Sequence, residues 1–266
     1  MSVVPVFLIS FNRGAMLERA IDSLKRLDQH TQIIIQDNGS TDPLTLAVLE
    51  RLEGEGAQVV HREPINSADE LNLVDETVSE FFANRPHAPY VVSDCDIDIG
   101  IADRRALSLY AELLDLFPAA DCVGPMLRIR DVPVSYPLYN RMMNRHIDQF
   151  WKRRPSWVET SLGRVAYIEA PFDTTLALHR AGEPFKRFKA GLRVYEPYEA
   201  LHLDWYIGPE STDIYNTTSR SGISHWNNAA ERDLHSGVLL EYSSYYAVRS
   251  RQDGLEEYEE FLPLRP

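Results

Sequence analysis

Asp94, Asp96 and Asp98 alternate with Ser93, Cys95, Ile97 and Ile99 in the stretch VVSDCDIDIG, residues 91–100, directly after an apolar Val-Val pair. In an extended chain alternate side chains share a face, and residues two apart lie roughly 6.5–7 Å from each other. Carboxylates so placed repel one another unless a cation or hydrogen-bond donors offset their charge. Oxygen ligands of this kind suit Mg²⁺ or Mn²⁺, above all where substrate phosphates complete an octahedron. The competing reading is a turn-forming cluster with Asp98 or Asp103 capping the next helix. Of the three, Asp98 fits a structural role best. Asp-X-Asp alone is common in acidic chains, so its place in the fold must decide.

The elements around it supply that place. VVPVFLIS, residues 3–10, is apolar nearly throughout and rich in β-formers, which suits a strand covered on both faces. After the polar turn Phe11-Asn12-Arg13-Gly14, Leu17, Ala20, Ile21, Leu24 and Leu27 recur at helical spacing. Ile33-Ile34-Ile35 then runs into QDNGSTDP, whose Asn-Gly, Ser-Thr-Asp and Pro end a strand and open a turn before a helix carrying Leu46, Leu49 and Leu52. Val59-Val60 reads as a short third strand, residues 67–83 as a helix, and Tyr90-Val91-Val92 as a fourth strand. Strands alternating with helices predict a doubly wound, mostly parallel α/β sheet, in which ligands bind beyond the strand C-termini. SFNRG, QDNGSTD and the three aspartates all fall at such ends, so they can converge.

Several functions are excluded by what is missing there. One glycine, Gly14, follows the first strand, not the Gly-X-Gly-X-X-Gly of a dinucleotide site, and no P-loop Gly-Lys-Ser/Thr occurs. A haloacid-dehalogenase-type phosphatase would place its Asp-X-Asp after the first strand, which here ends in Ser-Phe-Asn-Arg. A sugar nucleotidyltransferase stays as the rival enzyme reading, although it would want a Gly-rich, basic loop for a triphosphate that SFNRGAM does not provide. A formal charge of −13, from 27 Lys and Arg against 40 Asp and Glu, argues against nucleic acid as a partner.

With 266 residues, 44% of them apolar, the chain can fill a core for one compact domain. Cys95 and Cys122 suggest neither a disulfide framework nor a zinc site, which favours a reducing compartment. The apolar start MSVVPVFLISFN lacks a basic leader and a cleavage site, and no run of about 18 apolar residues occurs. A cytoplasmic protein is expected, with attachment to the inner face of a membrane left open. The segment from Arg128 to Arg154 carries seven Arg or Lys against two Asp, a local +5 in an acidic chain. It reads either as a solvated helix face with snorkelling side chains or as a surface for acceptor phosphate or anionic lipid.

In order and spacing, PVFLISFNRGAMLERAIDSL, IIIQDNGSTDP and YVVSDCDI resemble the successive signatures of family 2-type glycosyltransferases of the GT-A fold. The later stretches APFDTTLALHR, EPYEALHLDWYI and ISHWNN resemble a bacterial subgroup acting in surface polysaccharide or lipooligosaccharide assembly. The resemblance implies a metal-dependent, inverting transfer of a sugar from a nucleotide diphosphate sugar to a glycan or glycolipid hydroxyl, with Mn²⁺ or Mg²⁺ as cofactor. Residues 1–127 would then form the nucleotide-sugar-binding part, and residues 128–266 the acceptor side of the same domain.

The resemblance also implies roles for residues. Asp37 would accept a hydrogen bond from the donor's base, its alternative being to cap the Asn-Gly turn. Phe11 and Asn12 would line the nucleotide cleft, while Arg13 would reach a phosphate or make a surface ion pair. Asp94 and Asp96 would touch ribose and hold the metal, with His225 in SHW as a further metal or phosphate contact. Many members carry a Glu-Asp base before a late helix, and this chain has none there. EPYEALHLDWY offers Glu196, Glu199, His202 and Asp204, and Asp173 sits on the preceding strand; the leading candidates for base or acceptor binding are Asp173 and His202, then Asp204. Helical spacing through EPYEALHLDWY would turn His202 to the cleft while Leu201 and Trp205 pack elsewhere. Trp205, Tyr206 and Trp226 could stack on a sugar or pack in the core.

Overall fold

A computed structural model describes residues 3–64, 73–151, 153, 155–210, 241–242, 248–252 and 255–259. The N-terminal half alternates as expected: β1 (Val4–Ser10), α1 (Gly14–Leu24), β2 (Thr31–Asp37), α2 (Pro43–Gly54), β3 (Gln58–His61), α3 (Val74–Phe82) and β4 (Tyr90–Asp94). There follow β5 (Ile97–Asp98), α4 (Ala106–Leu116), β6 (Cys122–Pro125), α5 (Tyr139–His146), β7 (Ser156–Thr160), β8 (Gly163–Phe172), β9 (Ala177–His179), β10 (Lys189–Val194) and β11 (Leu201–His202). β12 (Glu241–Tyr242), β13 (Val248–Gln252) and β14 (Leu255–Glu259) form a separate antiparallel sheet.

Nine strands make the central sheet in the order β3-β2-β1-β4-β9-β6-β10-β8-β7. β3, β2, β1, β4, β6, β10 and β7 run one way, and only β9 and β8 oppose them. Strands from both halves of the chain therefore share one sheet.

Alternation along the strands explains the layers. Val6 and Leu8 of β1, Ile35 of β2 and Val91 of β4 meet α1, α2 and α4 through Leu17, Ile21, Leu49, Leu52 and Leu113. Phe7, Ile34, Tyr90 and Val92 point the other way, onto Val74, Val78, Phe81 and Phe82 of α3. Each such side chain, fully buried, contributes roughly 1.5–3 kcal/mol. Apolar residues on both faces make β1 and β4 read as continuous hydrophobic runs. Pro5 is tolerated in central β1 because pairing with β4 begins only at Val6. Helices thus cover both faces, the doubly wound α/β arrangement read from the sequence.

Two expectations fail. The three aspartates do not share one extended face: β4 ends at Asp94, the chain turns through Cys95 and Asp96, and Ile97–Asp98 belong to β5. Nor is residues 197–206 a helix. Glu196–Pro197 is a cis peptide, β11 pairs with β5, and only the 3-10 turn Leu203–Tyr206 follows. Ala200 is already drawn into a bridge with Leu127, donating to the Met126 carbonyl at 3.0 Å and accepting from Arg128 N at 2.9 Å. A helix would break that bridge. The expected helix over 67–83 is seen at Val74–Phe82, residues 65–72 lying outside the described part.

Candidate active site

Parallel register builds the site. Ser10 at the end of β1 pairs with Asp37 on β2, and Ile9 pairs with Asp94 on β4, so the two aspartates flank the β1 terminus. From there the chain continues into Asn12, a left-handed residue at φ 50°, a conformation that Asn adopts more readily than most side chains. Its Oδ1 accepts from the backbone N–H groups of Thr41 and Asp42 at 2.7 and 2.9 Å, fastening the β1–α1 turn to the β2–α2 turn. Gly14 completes the joint: its N–H donates to Thr45 Oγ1 at 2.9 Å, and a Cβ there would lie 2.8 Å from the Thr45 Cα. Asp42 caps α2 through Thr45 N, with Pro43 in the first turn.

This joint leaves Arg13 pointing inward. Its side chain is 5% exposed; Nη1 lies 2.5 Å from Asp96 Oδ2 and Nη2 2.6 Å from Asp204 Oδ1. The expected choice between a phosphate contact and a surface ion pair is therefore corrected on the second count: the pairing is buried. β11 brings the other half of the cluster, because His202 pairs with Ile97 and Leu203 N donates to the Asp96 carbonyl at 2.7 Å. His202 Nδ1 stands 3.9 Å from Asp96 Oδ2. Asp96, His202 and Asp204 each offer a ligand atom, all within 4.8 Å of one another. Asp96 Oδ1 is buried with no hydrogen-bond partner among the described residues. An orphaned buried carboxylate oxygen between a second carboxylate and an imidazole suits a divalent cation.

Burial raises the Asp204 carboxyl above the usual range, as does the charge of Asp96, while Arg13 and His202 act against them. Asp94 is half-buried. Burial, then Asp96, pushes its carboxyl up to about 8; Arg187 opposes, Asp173 adds to the rise, and a hydrogen bond from Thr174 lowers it. That bond, Thr174 Oγ1 to Asp94 Oδ2, is 2.6 Å, and Asp94 N donates to the Thr174 carbonyl at 2.6 Å. Asp94 is thus tied to the loop after β8 and stands apart from the three-residue cluster.

The other expected residues fall nearby in different roles. Asp37 accepts from both Ser40 N and Ser40 Oγ, the turn-capping contact considered from the sequence. Phe11 is half-buried and Asn12 buried. Asp173 follows β8 and is gripped by Arg187, Nε to Oδ1 at 2.5 Å and Nη2 to Oδ2 at 2.7 Å. Asp98 turns away to Arg19 at 2.7 Å and accepts from Gly100 N at 2.7 Å. His225 and Trp226 lie outside the described residues. Trp205 does not pack away from His202: their rings stack at 4.7 Å and 9°, and His146 meets Trp205 edge-on at 4.5 Å.

Thr174 and Arg187 were not singled out as site groups by sequence reasoning, and Glu199, one of the acidic groups offered by EPYEALHLDWY, is an internal anchor instead. Glu199, fully buried, takes Arg128 at 3.0 Å and Arg130 at 2.8 Å, clamping residues 126–131 to the segment that leads to His202 and Asp204. Two cations of the basic stretch are thereby used internally. Nothing in the local pattern of Glu199 announces partners some seventy positions upstream.

Residues 6–64, which include Asn12, Arg13 and Asp37, match the family described as "Glycosyl transferase family 2". The resemblance read from the sequence is borne out over these residues. No curated protein sequence matches the chain significantly. Similar solved structures include the mannosyltransferase PcManGT from Pyrobaculum calidifontis in complex with GDP-Man and Mn²⁺, 19% identical, TM-score 0.40, covering 66% of this chain and 44% of that one. TarS from S. aureus, residues 1–349, is 14% identical with TM-score 0.38, covering 67% of this chain and 47% of that one. Glucosyl-3-phosphoglycerate synthase from Mycobacterium tuberculosis, in complex with Mn²⁺, UDP and glucosyl-3-phosphoglycerate, is 18% identical with TM-score 0.33, covering 67% and 57%. The chain thus spans about half the length of the solved structures it matches. Among the described residues, no helix is long and apolar enough to cross a membrane.

Proposed function

We propose that the chain is a metal-dependent, inverting glycosyltransferase that moves a sugar from a nucleoside diphosphate sugar to a hydroxyl of a glycan or glycolipid. The observation that carries this reading is the meeting of Asp96, His202 and Asp204 after β4, two of them held by Arg13 of the family-matching turn. A divalent ion held there, Mn²⁺ or Mg²⁺, would offset the negative charge that builds on the leaving nucleoside diphosphate.

The chain's own groups divide the remaining work. Asp37 keeps acceptor capacity beyond its two bonds to Ser40 and receives the imide or amide N–H of the base. Phe11 forms a wall of the nucleotide cleft, Asn12 holds the two turns that shape it, and Asp94 faces the ribose. Asp173 stands outside the three-residue cluster near Asp94, is oriented by a bidentate guanidinium, and is assigned in this reading to take the acceptor proton. His202 and Asp204, the other candidates, are assigned to the metal. A cytoplasmic location and a peripheral membrane contact through the basic segment belong to the same proposal, now without Arg128 and Arg130, which hold Glu199.

A panel of UDP-, GDP-, CDP- and dTDP-sugars with Mn²⁺ tests the reading. Slow donor hydrolysis, or transfer to a glycan panel, is expected for one of them. Nucleotide binding with neither hydrolysis nor transfer would make the chain a silent binding protein of the same fold.

A further inference from the structure

Arg13 occupies an unusual position for a phosphate-contacting side chain. It is almost fully buried and spends both terminal nitrogens on carboxylates, Asp96 and Asp204, that are also two of the three groups able to hold a divalent ion. Three ligand atoms within 4.8 Å of one another leave little separation between a bound cation and a guanidinium on the same two residues. At such distances, with water largely excluded, two like charges repel strongly.

Resting on the metal reading above, we infer that Arg13 is a tethered counter-cation that competes with the divalent ion for Asp96 and Asp204, and that its guanidinium must leave at least one of them for the site to load. Without an ion, Arg13 offsets the charge of two buried carboxylates. Arg13 precedes the first residue of α1, and Leu17 N donates to its carbonyl at 3.0 Å, which anchors the backbone while the side chain exchanges partners. A diphosphate arriving with the ion offers the displaced, planar guanidinium paired oxygen acceptors to replace the carboxylates. Metal and nucleotide binding are then coupled through this one residue: each makes the other's site available.

Mn²⁺ titration followed by the electron paramagnetic resonance of free ion reads this directly, without turnover. Arg13→Gln should bind Mn²⁺ roughly tenfold or more tightly than the natural chain, because a repelling charge is gone. A nucleoside diphosphate should tighten Mn²⁺ binding in the natural chain and do so much less in the variant. Should Arg13→Gln fail to fold, Arg13→Lys keeps a cation but cannot bridge both carboxylates, and a smaller tightening is expected. Equal or weaker Mn²⁺ binding by the folded variants overturns the inference alone, since Arg13 would then be a permanent strut. Absence of Mn²⁺ binding by natural chain and variants alike overturns it together with the metal reading.

Discussion

Two positions separate Asp96 from Asp98, and their partners differ in kind. Arg13 meets Asp96 from inside the protein, whereas Arg19, 56% exposed, meets Asp98 at the surface. An ion pair with one exposed partner contributes roughly 0.2–1 kcal/mol, while removing one member of a buried pair costs about 3–5 kcal/mol. Asp98→Asn keeps an acceptor for Gly100 N and should lower stability by no more than about 1 kcal/mol in urea unfolding. Its affinity for nucleotide and Mn²⁺ should equal that of the natural chain; a large loss would place Asp98 in the site. That Asp98 differs from its two neighbours was expected from the sequence, and its partners are Arg19 and Gly100 N. That Asp96 pairs with a buried arginine was not expected, because Arg13 lies 83 residues upstream and looks, in SFNRG, like any polar turn residue.

The segment from Glu196 to Tyr206 shows how an element is decided from outside. Its residue types allow a helix, yet Glu199 is held by Arg128 and Arg130, and Ala200 by Met126 and Arg128, before a helical turn could close. The clamp fixes the extended approach that brings His202 opposite Ile97 and Asp204 to Arg13. Glu199→Ala should lower stability by about 1–3 kcal/mol, less than for a wholly buried pair because both guanidiniums reach water. Mn²⁺ affinity should fall in parallel, although the substitution removes no ligand; unchanged affinity would mean that β11 and β5 position the cluster by themselves. The β1-turn-α1 and β2-turn-α2 units were legible because apolar runs, Asn-Gly and Asp-Pro are local signals. The clamp joins residues some seventy positions apart, and the turn that separates Asp94 from Asp96 leads into pairing with β11 a hundred residues away; no local period encodes either.

For the whole molecule, the core carries two histidines that burial keeps neutral. His179 is stacked on Tyr90 at 5.2 Å and its imidazole is pushed down to about 3, first by burial and then by Lys189. His146 lies well below its ordinary value through burial, then Arg193, His202 and Arg145. The unfolded chain takes up these protons near pH 6.5 and the native chain does not, so stability is retained above 6.5 and lost as pH falls from there towards 3. Below about pH 5.5 His179 should remove close to the one-proton limit of about 1.4 kcal/mol per pH unit, and His146 acts in the same direction. His179→Leu should make urea-derived stability less steep in that window by one proton; an unaltered slope would contradict the assignment. The same buried architecture sets the central claim, that Asp96, His202 and Asp204 hold a divalent ion against a nucleoside diphosphate. Calorimetry of UDP, GDP, CDP and dTDP with and without Mn²⁺ tests it most directly. The account predicts Mn²⁺-dependent binding of one of these nucleotides, abolished in Asp96→Asn; nucleotide binding that ignores both Mn²⁺ and that substitution, or no binding at all, would contradict it.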